Sequence, residues 1–255
     1  MIKKEFKRIR LAFSFLTTIP FPLVKDSNEK DQAKSLIYAP VVGLLIGVIM
    51  LLAWALLSFL PVKPIAALIV VLVYVMLTGG LHLDGVADTC DGVFSNRPRE
   101  RMLEIMKDSR IGTNGVIGLV LILLLYWISI LALPSFFTIN SAAALLLMPV
   151  AGRTGSIIAS GLSKYARKTD GLGKNFVELL SAKDTVLGGL ISLVIFSLVF
   201  GWRGTILFLI TLVSSFAGVL YFDRKLGGAT GDTLGAICEI NQVVFLIGFI
   251  IIGGM

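Results

Sequence analysis

Residues 41–60 read V-V-G-L-L-I-G-V-I-M-L-L-A-W-A-L-L-S-F-L, twenty positions without a charge. The hydrocarbon core of a bilayer is crossed by a helix of about 20 apolar residues. Comparable runs lie at 64–80, 115–133, 141–161 and 204–222, with shorter ones at 186–201 and 242–255. Hydrophobic residues make up 56% of the 255 and charged residues 15%, whereas soluble domains carry about 45–50% and about 25%. These runs exclude a soluble fold, and the scarcity of charge excludes a disordered chain. The expected fold is all-α, a polytopic integral membrane protein of about seven transmembrane helices forming one domain over 1–255. Within the first run, Gly43 and Gly47 are spaced as a small-xxx-small pair that lets a neighbouring helix approach closely.

The placement of charge orients these spans. Of 23 Lys and Arg residues, 20 fall in the segments 1–40, 81–114, 162–185 and 223–241. Lys63 and Arg203 lie on the alternate connections, and Arg153 lies inside a span. Cytoplasmic loops carry the excess of Lys and Arg, so the N-terminus and the three long loops are expected in the cytoplasm, all 16 acidic residues with them. A net charge of +7 therefore records orientation in the cytoplasmic membrane; no nucleic-acid partner is expected. The opening K-K-E-F-K-R-I-R leads into a stretch too short and too proline-interrupted to span. With no small-residue cleavage site, it reads as an amphipathic segment on the inner membrane surface. Cys90 and Cys238 are expected to be reduced there and to serve packing. Homo-oligomerisation stays open.

The chemistry concentrates in T-G-G-L-H-L-D-G-V-A-D-T-C-D-G, residues 78–92. On a helix, Asp84, Asp88 and Asp91 fall within roughly 60° of one another. Three carboxylates on one face repel, and hard oxygen ligands suit Mg²⁺, Mn²⁺ or Ca²⁺. The alternative is a solvated acidic helix end paired with nearby bases. His82, the single histidine, is either a ligand or orienting group for this chemistry or a hydrogen-bonded structural residue. Zinc is not expected, for want of a second His or a suitable Cys pair.

Downstream, E-I-M-K-D-S-R-I-G-T (104–113) offers Lys107 and Arg110 as phosphate ligands. Asp108 either joins a metal site, acts as a base, or pairs with Arg110. In the third loop the glycines and Lys174 of Y-A-R-K-T-D-G-L-G-K-N-F resemble a phosphate cradle, though neither a P-loop nor a Rossmann fingerprint is present. Arg153 within a span costs several kcal/mol unless it faces a polar cavity; the aspartate cluster or an anionic substrate is its expected partner. Asp232 and Glu239 stand seven apart on one helical face, as a second ligand set, as contacts to ribose hydroxyls, or as an acidic helix cap.

The run G-G-L-H-L-D-G-V-A-D-T-C-D-G, followed by E-I-M-K-D-S-R-I-G-T, resembles the signature of the adenosylcobinamide-GDP ribazoletransferases, the cobalamin 5′-phosphate synthases. The resemblance extends to F-S-F-L-T-T-I-P-F-P near the start, P-V-V-G-L-L-I-G at 40–47, G-R at 152–153, G-L-G-K-N-F and G-D-T-L-G-A-I-C-E. Cys90 and Asn114 depart from the Ala and the aromatic residue expected there. The resemblance implies a Mg²⁺-dependent enzyme of the cytoplasmic membrane. It would join α-ribazole, or its 5′-phosphate, to adenosylcobinamide-GDP and release GMP. On that reading Asp84, Asp88 and Asp91 hold Mg²⁺ on the diphosphate, and Asp91 or Asp108 accepts the hydroxyl proton, with His82 in support. Lys107, Arg110, Arg153 and Lys174 stabilise phosphate charge, and Asp232 and Glu239 contact substrate or a second metal.

Two other readings compete. The D-G-x-A-D-x-x-D-G pattern is also similar to the aspartate motif of the CDP-alcohol phosphotransferases, lipid enzymes that displace a nucleoside monophosphate; Asp88 stands where that longer motif has Arg. A transporter of cations or organic anions would instead place its acidic residues near mid-membrane in broken helices.

Overall fold

The computed structural model describes all residues except 1, 23, 25, 26, 135, 137, 172 and 253–255. Lys25 and Asp26 of the charge tally, Leu172 of the glycine motif and the last three residues of the final apolar run therefore lie outside the described residues. Eleven α-helices follow in order among the rest, besides two short 3-10 turns: α1 (Ile2–Leu16), α2 (Glu29–Ser35), α3 (Ala39–Leu56), α4 (Lys63–Thr78), α5 (Leu81–Val93), α6 (Arg99–Ile105), α7 (Thr113–Leu131), α8 (Ile139–Leu162), α9 (Lys174–Glu178), α10 (Ala182–Leu226) and α11 (Gly231–Ile251).

The protein is a multi-pass helical membrane protein. Five helical segments are long and apolar enough to cross a bilayer, or six counting the bent pair α4–α5 as one more. The 45-residue α10 is not straight. Phe200 leaves helical backbone and Gly201 takes φ 59° and ψ −142°, and Ser197 Oγ lies 2.9 Å from Thr205 Oγ1 eight residues on. Eight residues of straight helix would rise about 12 Å, so the chain folds back here and α10 is two arms. Counted so, the arms with α3, α4, α7, α8 and α11 make the seven apolar helices expected from 186–201 and 204–222 being separate runs.

α8 is the axis of the bundle, buried along most of its length. α3 packs on its bare backbone: a Cβ on Gly43 would lie 2.7 Å from Pro149 O, and one on Gly47 2.6 Å from Leu146 O. The small-xxx-small spacing thus works as the sequence suggests. Outward, Ile117, Leu121 and Ile128 of α7 and Leu190, Val194 and Leu198 of α10 remain exposed, as a face solvated by lipid chains requires. At one end of the bundle, Lys63 and Arg203 are the charged side chains among the described residues. Lys63 Nζ donates to the Leu133 and Pro134 carbonyls, and Arg203 stacks over Phe200 and Trp202.

The other end is charged and structured. The segments read as loops at 81–114 and 223–241 are mostly helix, because their polar residues lie on single faces. At the end of α4 the chain turns by 92° into α5. Gly79 (φ 61°) and Gly80 (φ 71°) make this turn in the left-handed region, where a side chain costs about 1–2 kcal/mol per residue. α5 therefore leaves the line of the span and runs across the charged end. The carbonyls at the end of α4 are closed from outside: Thr18 N donates to Leu77 O at 2.8 Å and Thr18 Oγ1 to Met76 O at 2.8 Å. The T-T of F-L-T-T-I-P-F-P thus docks the end of α1 on the bend.

Candidate active site

α5 presents two faces. Val86, Thr89 and Val93 are buried, while Asp84 is exposed and Asp88 and Asp91 are half-buried on the opposite side. Close contact with α11 requires small residues on both helices. A Cβ on Gly85 would lie 2.6 Å from Asp232 O, and one on Gly235 3.2 Å from His82 O. This approach carries Asp232, in the first turn of α11, to the carboxylates of α5. The side chains of Asp84 and Asp88 have no hydrogen-bond or ion-pair partner among the described residues. Burial, then the charges of Asp84 and Asp232, push the Asp88 carboxyl up to about 7, against the opposing effect of Arg167. An acidic group destabilised by its own neighbours is a place where a hard divalent cation fits.

Asp91, expected beside them as ligand or base, is committed elsewhere. It accepts from Gly112 N at 2.6 Å and Gly115 N at 2.8 Å, so both oxygens hold the start of α7, where free N–H groups and the helix dipole favour an anion. Asp108 is likewise engaged, accepting from Arg110 Nε at 3.1 Å and Nη2 at 2.8 Å. Those hydrogen bonds hold its carboxyl down at about 2. A carboxylate so held accepts a proton poorly.

A cavity of about 910 Å³ opens beside α5, lined by Thr78, Asp84, Asp88, Lys107, Asp108 and Ser109. Lys107 Nζ donates to Thr169 Oγ1 at 2.6 Å, which ties the second charged segment to the third. Arg110 is largely exposed, its guanidinium on Asp108. Lys174 bonds Asp170 at 2.6 Å at the start of α9, and Gly173 next to it packs on Gly231.

Arg153 and Glu239 are not in this cavity. Arg153 has no exposed surface and Glu239 1%; both lie deeper in the bundle. Tyr74 Oη donates to Glu239 Oε1 at 2.6 Å and Tyr126 Oη to Oε2 at 2.6 Å. Arg153 Nη1 donates to Tyr74 Oη at 3.3 Å and Gln242 Oε1 at 3.5 Å. Opposite charges compensate each other through Tyr74, and Tyr126 and Gln242 complete a cluster linking α4, α7, α8 and α11. Arg153 thus faces Tyr74 and Gln242 and not the aspartates of α5. His82 sits between the two layers, its Nδ1 3.4 Å from Cys238 Sγ and 3.8 Å from Glu239 Oε1. Burial, with Arg153 nearby, lowers its pKa to about 3, so it stays neutral and makes no ion pair.

Arg167 was not singled out by its spacing, yet it donates to Asp232 at 2.6 Å. Its place follows from a two-stranded bridge in which Ala166 N donates to Ala229 O at 2.9 Å and Ala229 N to Lys164 O at 2.8 Å. That bridge joins the segments before α9 and before α11. The Arg-Lys pair in the loop was a signal of charge but not of partner.

A family model described as cobalamin-5-phosphate synthase matches residues 8–250. A protein of Acetivibrio thermocellus named adenosylcobinamide-GDP ribazoletransferase is 47% identical over 247 residues, covering 96% of this chain and 98% of its own. One of the same name from Clostridium acetobutylicum is 43% identical, covering 94% of each; another, from Fusobacterium nucleatum, is 35% identical over 96% and 98%. No solved structure matches. With a match along nearly its whole length, the chain belongs to the cobalamin-5-phosphate synthase family.

Proposed function

We propose that this chain transfers the phospho-cobinamide moiety of adenosylcobinamide-GDP to α-ribazole, or to its 5′-phosphate, releasing GMP. The observation that carries this reading is the pair of unpartnered carboxylates, Asp84 and Asp88, facing a polar cavity at the charged end of the bundle. The charged end and the N-terminus then lie in the cytoplasm, with the spans in the cytoplasmic membrane, because Lys and Arg mark that side.

Asp84 and Asp88, with Asp232 at their edge, are the residues that would hold Mg²⁺. When bound, the metal supplies charge neutralisation on the diphosphate. The chain's own part is placement. Lys107 lines the same cavity and offers its ammonium to phosphate oxygens. A ribose hydroxyl that is free in both acceptors attacks the phosphorus nearer the cobinamide, the bond from that phosphorus to the GMP oxygen breaks, and GMP leaves with its charge. With Asp91 and Asp108 both engaged, the free carboxylates of α5 are the groups left to take the hydroxyl proton. Arg167 holds Asp232 in register, and Arg153, Glu239, Tyr74 and Tyr126 hold the helices from which α5 and α11 meet.

The test is direct. Purified protein in lipid nanodiscs with adenosylcobinamide-GDP, α-ribazole and Mg²⁺ is expected to release GMP, and chelation to stop it. No GMP, together with CMP from a CDP-alcohol, would overturn the reading in favour of a lipid phosphotransferase.

A further inference from the structure

A second, narrower cavity of about 130 Å³ lies on the other side of Asp84. Its walls are apolar: Leu16, Leu36, Leu81 and Leu234 line it. Phe15 of α1 and Phe176 of α9 close it with ring centroids 5.1 Å apart. His82, Asp84, Ser156 and Asp232 line it as well, and one buried hydroxyl in it is unpaired. Ser160 is fully buried and lines the slot, and its Oγ has no hydrogen-bond partner among the described residues. A buried hydroxyl left unpaired costs about 1–3 kcal/mol, so a ligand that accepts from it is favoured. Asp84, Leu81 and Phe15 line both this slot and the larger polar cavity, so the two meet at Asp84.

We infer that the slot binds the planar base of the acceptor nucleoside, with Ser160 donating to its bare ring nitrogen and Phe15 and Phe176 against its edge. This rests on the function proposed above. A benzimidazole is flat, almost wholly apolar and carries one such nitrogen, which is the chemistry the slot recognises. The ribose then leaves the slot beside Asp84, and its attacking hydroxyl arrives at the carboxylates there. The two substrates are thereby held in separate compartments that meet at Asp84, an arrangement that lowers the entropic cost of a two-substrate transfer. Phe15 and Phe176 also line an outer groove with Leu11, Ser14, Gln32 and Ser35, so the aromatic pair stands between that groove and the slot.

The experiment compares wild type, Ser160→Ala and Phe176→Leu as full-length protein in nanodiscs. Steady-state kinetics would be run against each substrate in turn, with calorimetric binding of α-ribazole alone. Ser160→Ala is expected to raise the KM and the Kd for α-ribazole about fivefold, one hydrogen bond's worth. Phe176→Leu keeps an apolar wall but loses the ring, and is expected to raise both about three- to tenfold. The KM for adenosylcobinamide-GDP should stay within about twofold in either variant. Ser160→Ala should also narrow the preference for a benzimidazole nucleoside over one whose base lacks the acceptor nitrogen. Wild-type turnover with an unchanged α-ribazole KM and Kd in both variants would overturn the slot and leave the activity standing. Equal rises for both substrates would overturn it too. Absence of GMP release by wild type would overturn the function, and the slot assignment with it.

Discussion

Asp91 accepts the Gly112 backbone N–H at 2.6 Å, and this bond separates it from the two aspartates with which it shares a helix face. Its second oxygen takes Gly115 N, so the carboxylate serves as the anionic cap of α7. Asp91→Ala removes two hydrogen bonds to a charged acceptor, each about 1.5–3 kcal/mol. The expected outcome is a protein destabilised by about 3 kcal/mol or more, read as a fall in the thermal aggregation midpoint in detergent.

Asp84 and Asp88 should behave in the opposite manner. Asp84→Asn and Asp88→Asn relieve repulsion and leave no buried donor unpaired, so the fold should hold or gain slightly. GMP release should drop by about a thousandfold or more, as loss of a group that neutralises transition-state charge implies. Near-normal turnover by either variant would sink the assignment of these residues to the metal.

The Arg153–Glu239 pair predicts a stability effect without direct chemistry. Arg153→Met leaves Glu239 buried with its compensating charge gone, a loss of about 3–5 kcal/mol. Adding Glu239→Gln should recover part of it, since the tyrosine hydroxyls can still bond the amide. A double-mutant cycle on unfolding midpoints measures this coupling; additive losses would show that the two charges do not sense each other.

At the N-terminal segment, pH is the lever. Burial opposes ionisation of Asp31, but the hydrogen bonds from Lys7 and Arg8 outweigh it and hold its pKa below the ordinary carboxylate value. A depressed carboxylate stabilises the fold fully above its unfolded pKa of about 3.9, and the stabilisation is lost as pH falls through the lower folded value. Docking of α1 on α2 should therefore be flat from neutral pH to about 5 and weaken below 4. Hydrogen exchange of α1 amides at pH 6 and pH 3.5 checks it, with Asp31→Asn showing the acid behaviour at both.

Much of this architecture was legible in the chain itself. Seven apolar runs, the separation of 186–201 from 204–222 at Gly201, and the small residues at 43 and 47 all read directly as spans, a reversal and a close packing. Depth was the hidden variable. Arg153 stands nine residues before the end of α8, about 14 Å at the rise of a helix, and Glu239 eight residues into α11. Counting from the helix ends would have placed both below the polar cavity. The engagement of Asp91 could not be counted, because it depends on where the start of α7 arrives after an intervening helix. Arg167 owes its place to a pair of backbone hydrogen bonds between segments more than 60 residues apart, which no local pattern carries.

The two-glycine turn after α4 owes its rigidity to Thr18, almost sixty residues earlier in the chain, whose amide and hydroxyl close the carbonyls of Met76 and Leu77. The first twenty residues are thus less a leading tail than a clasp on a distant joint. Whatever loosens that clasp unfixes the angle of α5, and with it the height at which the carboxylates stand above the membrane.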